Sequence, residues 1–240
     1  MALEHERIWS FDAAWPPDDT EVSCLGTNLH QTTITNLRLG LNEAARANQA
    51  PGQPVPWTAL SQMLLVGCRH PDGSYYRTYP DVFVYLAQVD GDRGSLAVDA
   101  DGPPALVIEV LSEGTFEVDI AHIRGKGYSY ARAGVPEYIV LDPTGHFLAQ
   151  GVAAWHLVDQ QYRVWESRQD GRWYSDQFPV AIALEGAQAV IYLSDGQRML
   201  AEGEVGEAFA RRDAELARKD AELGRKDAEI ARLTRLLEGR

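Results

Sequence analysis

The clearest pattern of apolar positions lies in the middle of the chain. Ala105–Leu111 is an apolar run of strand length that is interrupted only by Glu109, and Tyr138–Leu141 is a second such run. Because neither run has a polar face, both are predicted to be strands covered on both sides. The segment between them has helical spacing, and Gly134 and Pro136 are predicted to end that helix. Strand, crossover helix and strand together predict a parallel pair in an α/β sheet, with a right-handed connection.

Weaker patterns flank this centre. From His30, the spacing of Ile34, Leu37 and Leu41 predicts an amphipathic helix. Strands are predicted at 64–66 and 82–89, with a hairpin turn signal at Asp72-Gly73 between them. Beyond Gly145, short alternating runs predict antiparallel hairpins. These runs are 155–158, 162–165, 173–174, 190–193 and 198–200.

The end of the chain repeats with a period of seven from about residue 202. Leu216, Leu223, Ile230 and Leu237 give one apolar position per heptad, whereas a good two-stranded coiled coil has two. The pattern therefore predicts a charged helix that is either a solvated single helix or a coiled-coil homodimer, with equal weight. We expect two parts, an α/β domain over 1–201 and a helical tail over 202–240.

Composition and charge exclude several classes of protein. The apolar share of 45% excludes wholesale disorder, and no apolar run is long enough to cross a membrane. No secretory signal, phosphate-cradling glycine loop or cysteine-based metal site is visible, so we expect a cytoplasmic protein without an organic cofactor. Glu207–Arg240 is nearly neutral, so the net charge of −13 lies almost entirely on the rest of the chain. Such a body does not attract nucleic acid by its overall charge, and contact with DNA would require a local basic patch or bound cations.

Two carboxylates stand out as candidates for chemistry. Glu109 lies inside an apolar strand, where an ionised carboxylate is costly unless it is paired or bound to a cation. Asp81 begins the strand predicted at 82–89, and carboxylates from two neighbouring strands can share one Mg²⁺ ion. On the crossover helix, Asp119, Lys126 and Tyr130 share a face that can point toward both strand ends. A structural ion pair of Glu109 with a Lys or Arg is an equally weighted alternative.

Other polar residues are given structural roles. Asp142 is interpreted as a turn residue before Pro143, in preference to an accessory carboxylate. Trp155, Trp165 and Trp173 are interpreted as hairpin packing rather than stacking surfaces for bases. The six histidines lack the spacing of metal ligands, and most are interpreted as surface groups.

Several of these segments together resemble a known family. They are Tyr79-Pro80-Asp81-Val-Phe-Val, Leu106-Val-Ile-Glu109-Val-Leu-Ser112, Thr115, Asp119, Lys126, Tyr130-Ala-Arg-Ala-Gly134-Val-Pro-Glu137-Tyr138 and Val140-Leu-Asp142-Pro143. In this order they resemble the Uma-two family of restriction endonuclease-like domains in the PD-(D/E)XK nuclease superfamily. The resemblance covers roughly residues 20–170. His30 with the helix that follows it is similar to the family's early helix, and Glu21 corresponds to its early acidic residue.

The resemblance implies a mixed sheet with flanking helices and a metal-dependent endonuclease acting on DNA. Asp81, Glu109 and the carbonyl of Val110 would hold Mg²⁺, with Mn²⁺ as a substitute. Lys126 would orient the attacking water and stabilise charge in the transition state. Glu21, Asp119 and Tyr130 would be accessory residues.

The superfamily's strand lysine position is Leu111 here, but the Uma-two family takes its lysine from the following helix, and Lys126 fits that position. Asp119 and Lys126 are seven residues apart instead of the family's four, with His122 at the nearer position. This longer spacing, the low basic content of the body and the heptad tail keep another function open. The alternative function is a catalytically inactive nuclease-like module that binds nucleic acid or a protein partner. A less favoured alternative is an assembly protein that dimerises through its tail.

Overall fold

The described part of the chain covers most of the predicted α/β domain. The structure, a computed structural model, describes residues 27–69, 75–112 and 116–201, together with 204, 214–216, 218–219 and 221–226. For residues 116–124 it describes the backbone alone. By its internal contacts the chain divides into two compact units, 1–199 and 200–240.

The first unit contains three helices and twelve strands in its described residues. The helices are α1 (Asn28–Ala47), α2 (Val98–Asp101) and α3 (Phe116–Ala133). The first six strands are β1 (Thr58–Leu60), β2 (Leu64–Arg69), β3 (Tyr75–Thr78), β4 (Val82–Tyr85), β5 (Ser95–Ala97) and β6 (Leu106–Val110). The others are β7 (Glu137–Leu141), β8 (Val152–Val158), β9 (Gln161–Val164), β10 (Trp173–Tyr174), β11 (Val180–Glu185) and β12 (Gln188–Leu193).

A six-stranded mixed sheet forms the centre, in the order β1-β4-β6-β7-β8-β9. Strands β6 and β7 are parallel, as predicted, and α3 connects them. The other neighbours in this sheet are antiparallel. The predicted mixed α/β class with a crossover helix is therefore confirmed. Every residue of β6 and β7 is buried, as expected for strands that are covered on both faces.

The two faces of the central sheet carry different elements. Alternate residues of β6 point to opposite faces, so Leu106 and Ile108 share one core and Val107 the other. The first core joins the sheet to α1 and to a second sheet of order β10-β11-β12. The other core joins it to Tyr130 of α3 and to a third sheet of order β3-β2-β5. Successive side chains of β6 therefore face α1 and α3 in turn.

Local sequence fixes one end of each long helix, and the end of α3 is where it was predicted. The side chain of Thr27 caps α1 by accepting a hydrogen bond from the His30 amide at 3.3 Å. Helix α3 ends at Gly134, whose φ of +85° is a conformation that glycine adopts without strain.

Several strand predictions were wrong in their limits. The strand predicted at 82–89 ends at Tyr85, because the chain then leaves the sheet. Beyond that point the Thr58 hydroxyl donates a hydrogen bond to the Ala87 carbonyl and accepts one from the Val89 amide. The run at 198–200 forms a single bridge between Tyr192 and Arg198. Strands β1, β3, β5 and β11 were not predicted, and the tip of the predicted hairpin at Asp72-Gly73 lies outside the described residues.

The predicted tail is helical at each of its described positions beyond Ala201. Lys219 and Lys226 pair with Glu215 and Glu222, four residues earlier, with N–O distances of 2.7 Å in both cases. Leu216 and Leu223 are 50% and 58% exposed. The choice between a single helix and a coiled coil, and the boundary at residue 202, stay predictions.

No helix in the described ranges is long and apolar enough to cross a membrane.

Candidate active site

The two predicted carboxylates come together where β4 and β6 adjoin. Val82 of β4 pairs with Ile108 of β6, so Asp81 and Glu109 occupy the next opposing positions in the register. The amide of Val110 donates a hydrogen bond of 2.8 Å to Oδ2 of Asp81. This bond holds the Asp81 carboxylate against the strand that carries Glu109.

Glu109 points toward α3, because it shares the parity of Val107 and Leu111. Its side chain is 6% exposed. The Tyr130 hydroxyl donates to Oε1 at 2.7 Å, and Nζ of Lys126 lies 3.4 Å from Oε2. Lys126 and Tyr130 are four residues apart on α3, so one helical face delivers both groups to the carboxylate. The structure thus brings Lys126 and Tyr130 to Glu109, and the Val110 amide holds Asp81 beside the same strand.

The Tyr130 hydroxyl belongs to a packed aromatic group. It also lies 3.3 Å from Oγ1 of Thr78, and its ring meets Tyr138 edge to face at a centroid distance of 5.4 Å. Tyr138 in turn stacks on Trp155. Burial, with a further contribution from Glu109, raises the pKa of Tyr130 well above its ordinary value. Tyr130 therefore keeps its proton and serves as a hydrogen-bond donor, not as a base.

His30 is a further polar side chain at this place, and sequence reasoning did not assign it to the site. Its Nε2 atom lies 3.4 Å from Oδ2 of Asp81, and its side chain is 8% exposed. It stands in the first turn of α1, on the same face as Ile34, Leu37 and Leu41. The interpretation of most histidines as surface groups is wrong for this one. Its place among the apolar positions of an amphipathic helix was the signal from which its burial could have been predicted.

The donor set suits a hard divalent cation. Mg²⁺ prefers a few carboxylate oxygens and retained water, and Asp81 and Glu109 supply carboxylates from adjacent strands. Asp81 is 15% exposed, which leaves the site a route to solvent. A cation at Glu109 would compete with Lys126 for Oε2. The residues that are present therefore fit the metal that the sequence predicts.

The remaining predicted residues divide into three groups. Glu21 and Thr115 lie outside the described residues, and the side chain of Asp119 is likewise not described. The role of the Val110 carbonyl as a metal ligand stays a prediction. Asp142 is confirmed as a turn residue, because its carboxylate accepts hydrogen bonds from Thr144, Gly145, Phe147 and Leu148.

The predicted packing role of the tryptophans is also confirmed. Trp155, Trp165 and Trp173 are 1%, 7% and 6% exposed, so none offers a stacking surface to a nucleic-acid base. The indole of Trp173 instead donates a hydrogen bond to the carbonyl of Trp165 at 3.0 Å.

Comparison with known proteins places the chain in a family. No curated protein matches it. A solved structure that is similar to part of the chain is described as a putative nuclease belonging to DUF820 from Anabaena variabilis. It has 13% sequence identity and a TM-score of 0.41, over 59% of this chain and 69% of that one. The family model Uma2, described as "Putative restriction endonuclease", matches residues 20–185. Since this match spans more than half of the sequence, the chain belongs to the Uma2 family.

Proposed function

We propose that this chain is a Mg²⁺-dependent endonuclease that hydrolyses phosphodiester bonds of DNA. The observation that carries the proposal is the convergence of Asp81 and Glu109 on neighbouring strands, with the Lys126 ammonium group against Glu109. Membership of the Uma2 family supports a nuclease and, with it, DNA as the partner. The nuclease domain would be restriction endonuclease-like and occupy residues 1–201, with 202–240 as its tail.

Asp81 and Glu109 would hold the metal ion, with the Val110 carbonyl as a third ligand and Mn²⁺ as a substitute. A bound Mg²⁺ ion polarises the phosphate and lowers the pKa of its water. The hydrogen bond from the Val110 amide orients Asp81, and the hydroxyl of Tyr130 orients Glu109. Both carboxylates are thus held in place before a ligand arrives.

Lys126 would supply positive charge to the reacting phosphate. Its ammonium group lies 3.4 Å from Glu109 and its side chain is 11% exposed, so it is held where little water screens it. Donation from this ammonium group to the phosphate or to the attacking water would stabilise the charge that develops in the transition state. Asp81, Glu109 and Lys126 are the catalytic residues of this proposal, and Tyr130 and His30 are positioning residues.

A plasmid-nicking assay tests the proposal. Full-length protein should nick supercoiled DNA with Mg²⁺ or Mn²⁺, and Asp81→Asn and Glu109→Gln should each lower the rate by at least a hundredfold. Asp92→Asn, which changes an exposed carboxylate in a loop, is the matched control and should keep full activity. Undiminished nicking by both site variants would refute the proposal.

One observation favours the inactive module as a second candidate. Both oxygens of Glu109 are already engaged, by Tyr130 and by Lys126, and such a buried ion pair can be purely structural. Titration calorimetry with Mn²⁺ separates the two functions. A nuclease site should bind Mn²⁺ and lose that binding in Asp81→Asn. DNA binding without any Mn²⁺ uptake at Asp81 would favour the inactive module.

A further inference from the structure

A second group of polar side chains lies at the opposite end of the central sheet. Glu137 begins β7, and His156 of β8 is its direct partner in the register. The imidazole lies between two carboxylates, with Nδ1 3.8 Å from Oε1 of Glu137 and Nε2 3.9 Å from Oδ2 of Asp176. One ligand atom from each of the three residues lies within 4.8 Å of the others.

This group is separate from the candidate active site. Glu137 pairs in register with Leu106, whereas Glu109 pairs with Val140 three residues further along. Glu137 also shares the parity of Ile139, which belongs to the core on the α1 side of the sheet. Glu109 faces α3 on the other side. The two groups thus differ both in position along the strands and in sheet face.

Glu137 is a buried carboxylate whose hydrogen-bond donors in the described part of the chain are both neutral. It is fully buried, and its two hydrogen bonds, both 2.7 Å, come from the Ser175 hydroxyl and the Asp176 amide. Within the described part of the chain, no Lys or Arg pairs with it, so the only nearby group that can carry positive charge is His156. A cation at this position would remove the cost of the buried charge.

His156 is prepared as a ligand by its surroundings. Its ring packs on Trp165 with a centroid distance of 4.3 Å, which limits its rotation. The Asp176 side chain is 77% exposed and the His156 side chain 26% exposed, so an ion can enter from solvent on their side.

We propose that Glu137, His156 and Asp176 form a binding site for a divalent transition-metal ion of the Zn²⁺ type. One nitrogen and two carboxylate oxygens match the ligands of Zn²⁺, which leave a fourth position for water. Ligand atoms around tetrahedral zinc are roughly 3.4 Å apart, whereas these three lie within 4.8 Å of one another. Nδ1 of His156 faces Glu137 and Nε2 faces Asp176, so the His156 and Asp176 side chains must both adjust for one nitrogen to join the two carboxylates at an ion. The ion would tie β7 and β8 to the turn that follows β10, and thereby stabilise the domain.

Metal titration of the full-length, EDTA-treated protein tests this site. Titration calorimetry should show that Zn²⁺ binds. The visible absorption of bound Co²⁺, used as a spectroscopic probe, should be that of an ion with nitrogen and oxygen ligands. His156→Gln and Asp176→Asn should each weaken binding at least tenfold and abolish the rise in melting temperature that Zn²⁺ causes in the unchanged protein. Asp176 is exposed, so its variant reports on binding even if changes at Glu137 impair folding.

Asp81→Asn is the control that separates this site from the proposed nuclease. That variant removes a ligand of the proposed nuclease site, and it should keep the Co²⁺ absorption and the Zn²⁺ stabilisation that His156→Gln and Asp176→Asn remove. Absence of Zn²⁺ binding would overturn the proposal, as would unaltered binding in both His156→Gln and Asp176→Asn. Unaltered binding in both variants would show that the ion binds elsewhere on the protein.

Discussion

Three buried carboxylates interrupt or end the apolar strands, and each has a different set of partners. Asp142 accepts backbone and hydroxyl hydrogen bonds of the turn that follows it. Glu137 has two neutral donors and a neighbouring histidine. Glu109 has a tyrosine hydroxyl and a lysine. The partners assign Asp142 to structure and leave Glu109 and Glu137 as groups whose charge depends on a nearby cation.

Removing the Tyr130 hydroxyl should destabilise the protein more than removing a hydroxyl that bonds to a neutral acceptor. Tyr130→Phe loses the 2.7 Å bond to the Glu109 carboxylate, and we expect the free energy of unfolding to fall by about 2 kcal/mol. The ring itself keeps its contact with Tyr138. Urea unfolding, followed by tryptophan fluorescence, measures the change.

Tyr85→Phe is the matched control for this prediction. The hydroxyl of Tyr85 donates to the Gly102 carbonyl at 2.9 Å, so its loss should cost only about 1 kcal/mol. Equal losses in the two variants would show that the Glu109 carboxylate adds nothing to the strength of the Tyr130 hydrogen bond.

Glu137 should make the free energy of unfolding fall as the pH rises from about 4.5 to about 7. Its pKa in the folded protein is about 7, above the ordinary value of 4.5, so the folded state holds a proton that the unfolded state has released. Its stabilising contribution is complete below about pH 4.5 and is lost toward pH 7, with an upper limit of about 3 kcal/mol. Urea unfolding of unchanged protein and of Glu137→Gln, both in EDTA, gives this contribution as the difference between two pH profiles.

Two features of this measurement isolate Glu137 from its neighbours. His156 has a lowered pKa and so acts in the opposite direction, but it is present in both proteins and its effect largely cancels in the difference. Glu166→Gln, a change of an exposed carboxylate, should leave the pH profile unchanged. A difference profile for Glu137→Gln that is flat between pH 4.5 and 7 would contradict a raised pKa.

Sequence reasoning found the charge inside an apolar strand and the residues that share one helical face. It missed the residues that only tertiary contacts bring together. Glu109 was found because a charge inside an apolar strand is costly, and Lys126 and Tyr130 because helical spacing places them on one face. His30 and the pair of Glu137 with His156 were missed because their proximity arises from tertiary contacts. Pairing of β7 with β8, and packing of α1 near Asp81, cannot be computed from spacing along the chain.

At the level of elements, the two long helices and the strands with clear apolar runs were predicted, whereas β1, β3, β5 and β11 were not. Helix α1 and the unit β6-α3-β7 have enough buried positions for the period to be visible. Strands β1 and β5 have three residues each and exist through their partners, β4 and β2. Their sequences alone carry too few positions to distinguish a strand from a loop.

Gly151 lies where the central sheet meets the β10-β11-β12 sheet, and its replacement tests that contact. Its φ is +67°, and a Cβ there would meet Cδ2 of Leu184 at 2.5 Å and the Asp142 carbonyl oxygen at 3.3 Å. Gly151→Ala should therefore add the cost of displacing the end of the Leu184 side chain to backbone strain, and lower the free energy of unfolding by about 2 kcal/mol. Thermal or urea unfolding measures the loss.

Gly145 offers a control with the same backbone conformation. Its φ is also +67°, but a Cβ there would meet nothing within 4 Å. Gly145→Ala should cost about 1 kcal/mol, through backbone strain alone. If both variants lost the same amount, the approach of Leu184 to Gly151 would not limit the packing of the two sheets.

For the whole molecule, the acidic charge limits how the proposed DNA substrate can bind. The net charge of −13 lies almost entirely outside the tail, so the body repels phosphates at long range. In the candidate site, the positive charge of Lys126 is balanced by the Glu109 carboxylate with which it pairs. A divalent ion at Asp81 and Glu109 would add positive charge where the reacting phosphate must lie. Cation binding and DNA binding should therefore be coupled, beyond the role of the ion in catalysis.

This coupling can be measured by the affinity for a short DNA duplex at constant ionic strength, using fluorescence anisotropy. The Lys126→Met variant keeps the duplex intact in this assay, and its affinity should be at least tenfold higher in Mn²⁺ than in EDTA, since the ion offsets phosphate repulsion. Adding Asp81→Asn should remove this gain, whereas adding His156→Gln should retain it, because His156 lies at the other end of the sheet. Equal affinities in Mn²⁺ and EDTA would mean that the acidic body contacts DNA through a basic patch independent of the Asp81 site, and the coupling would then be absent.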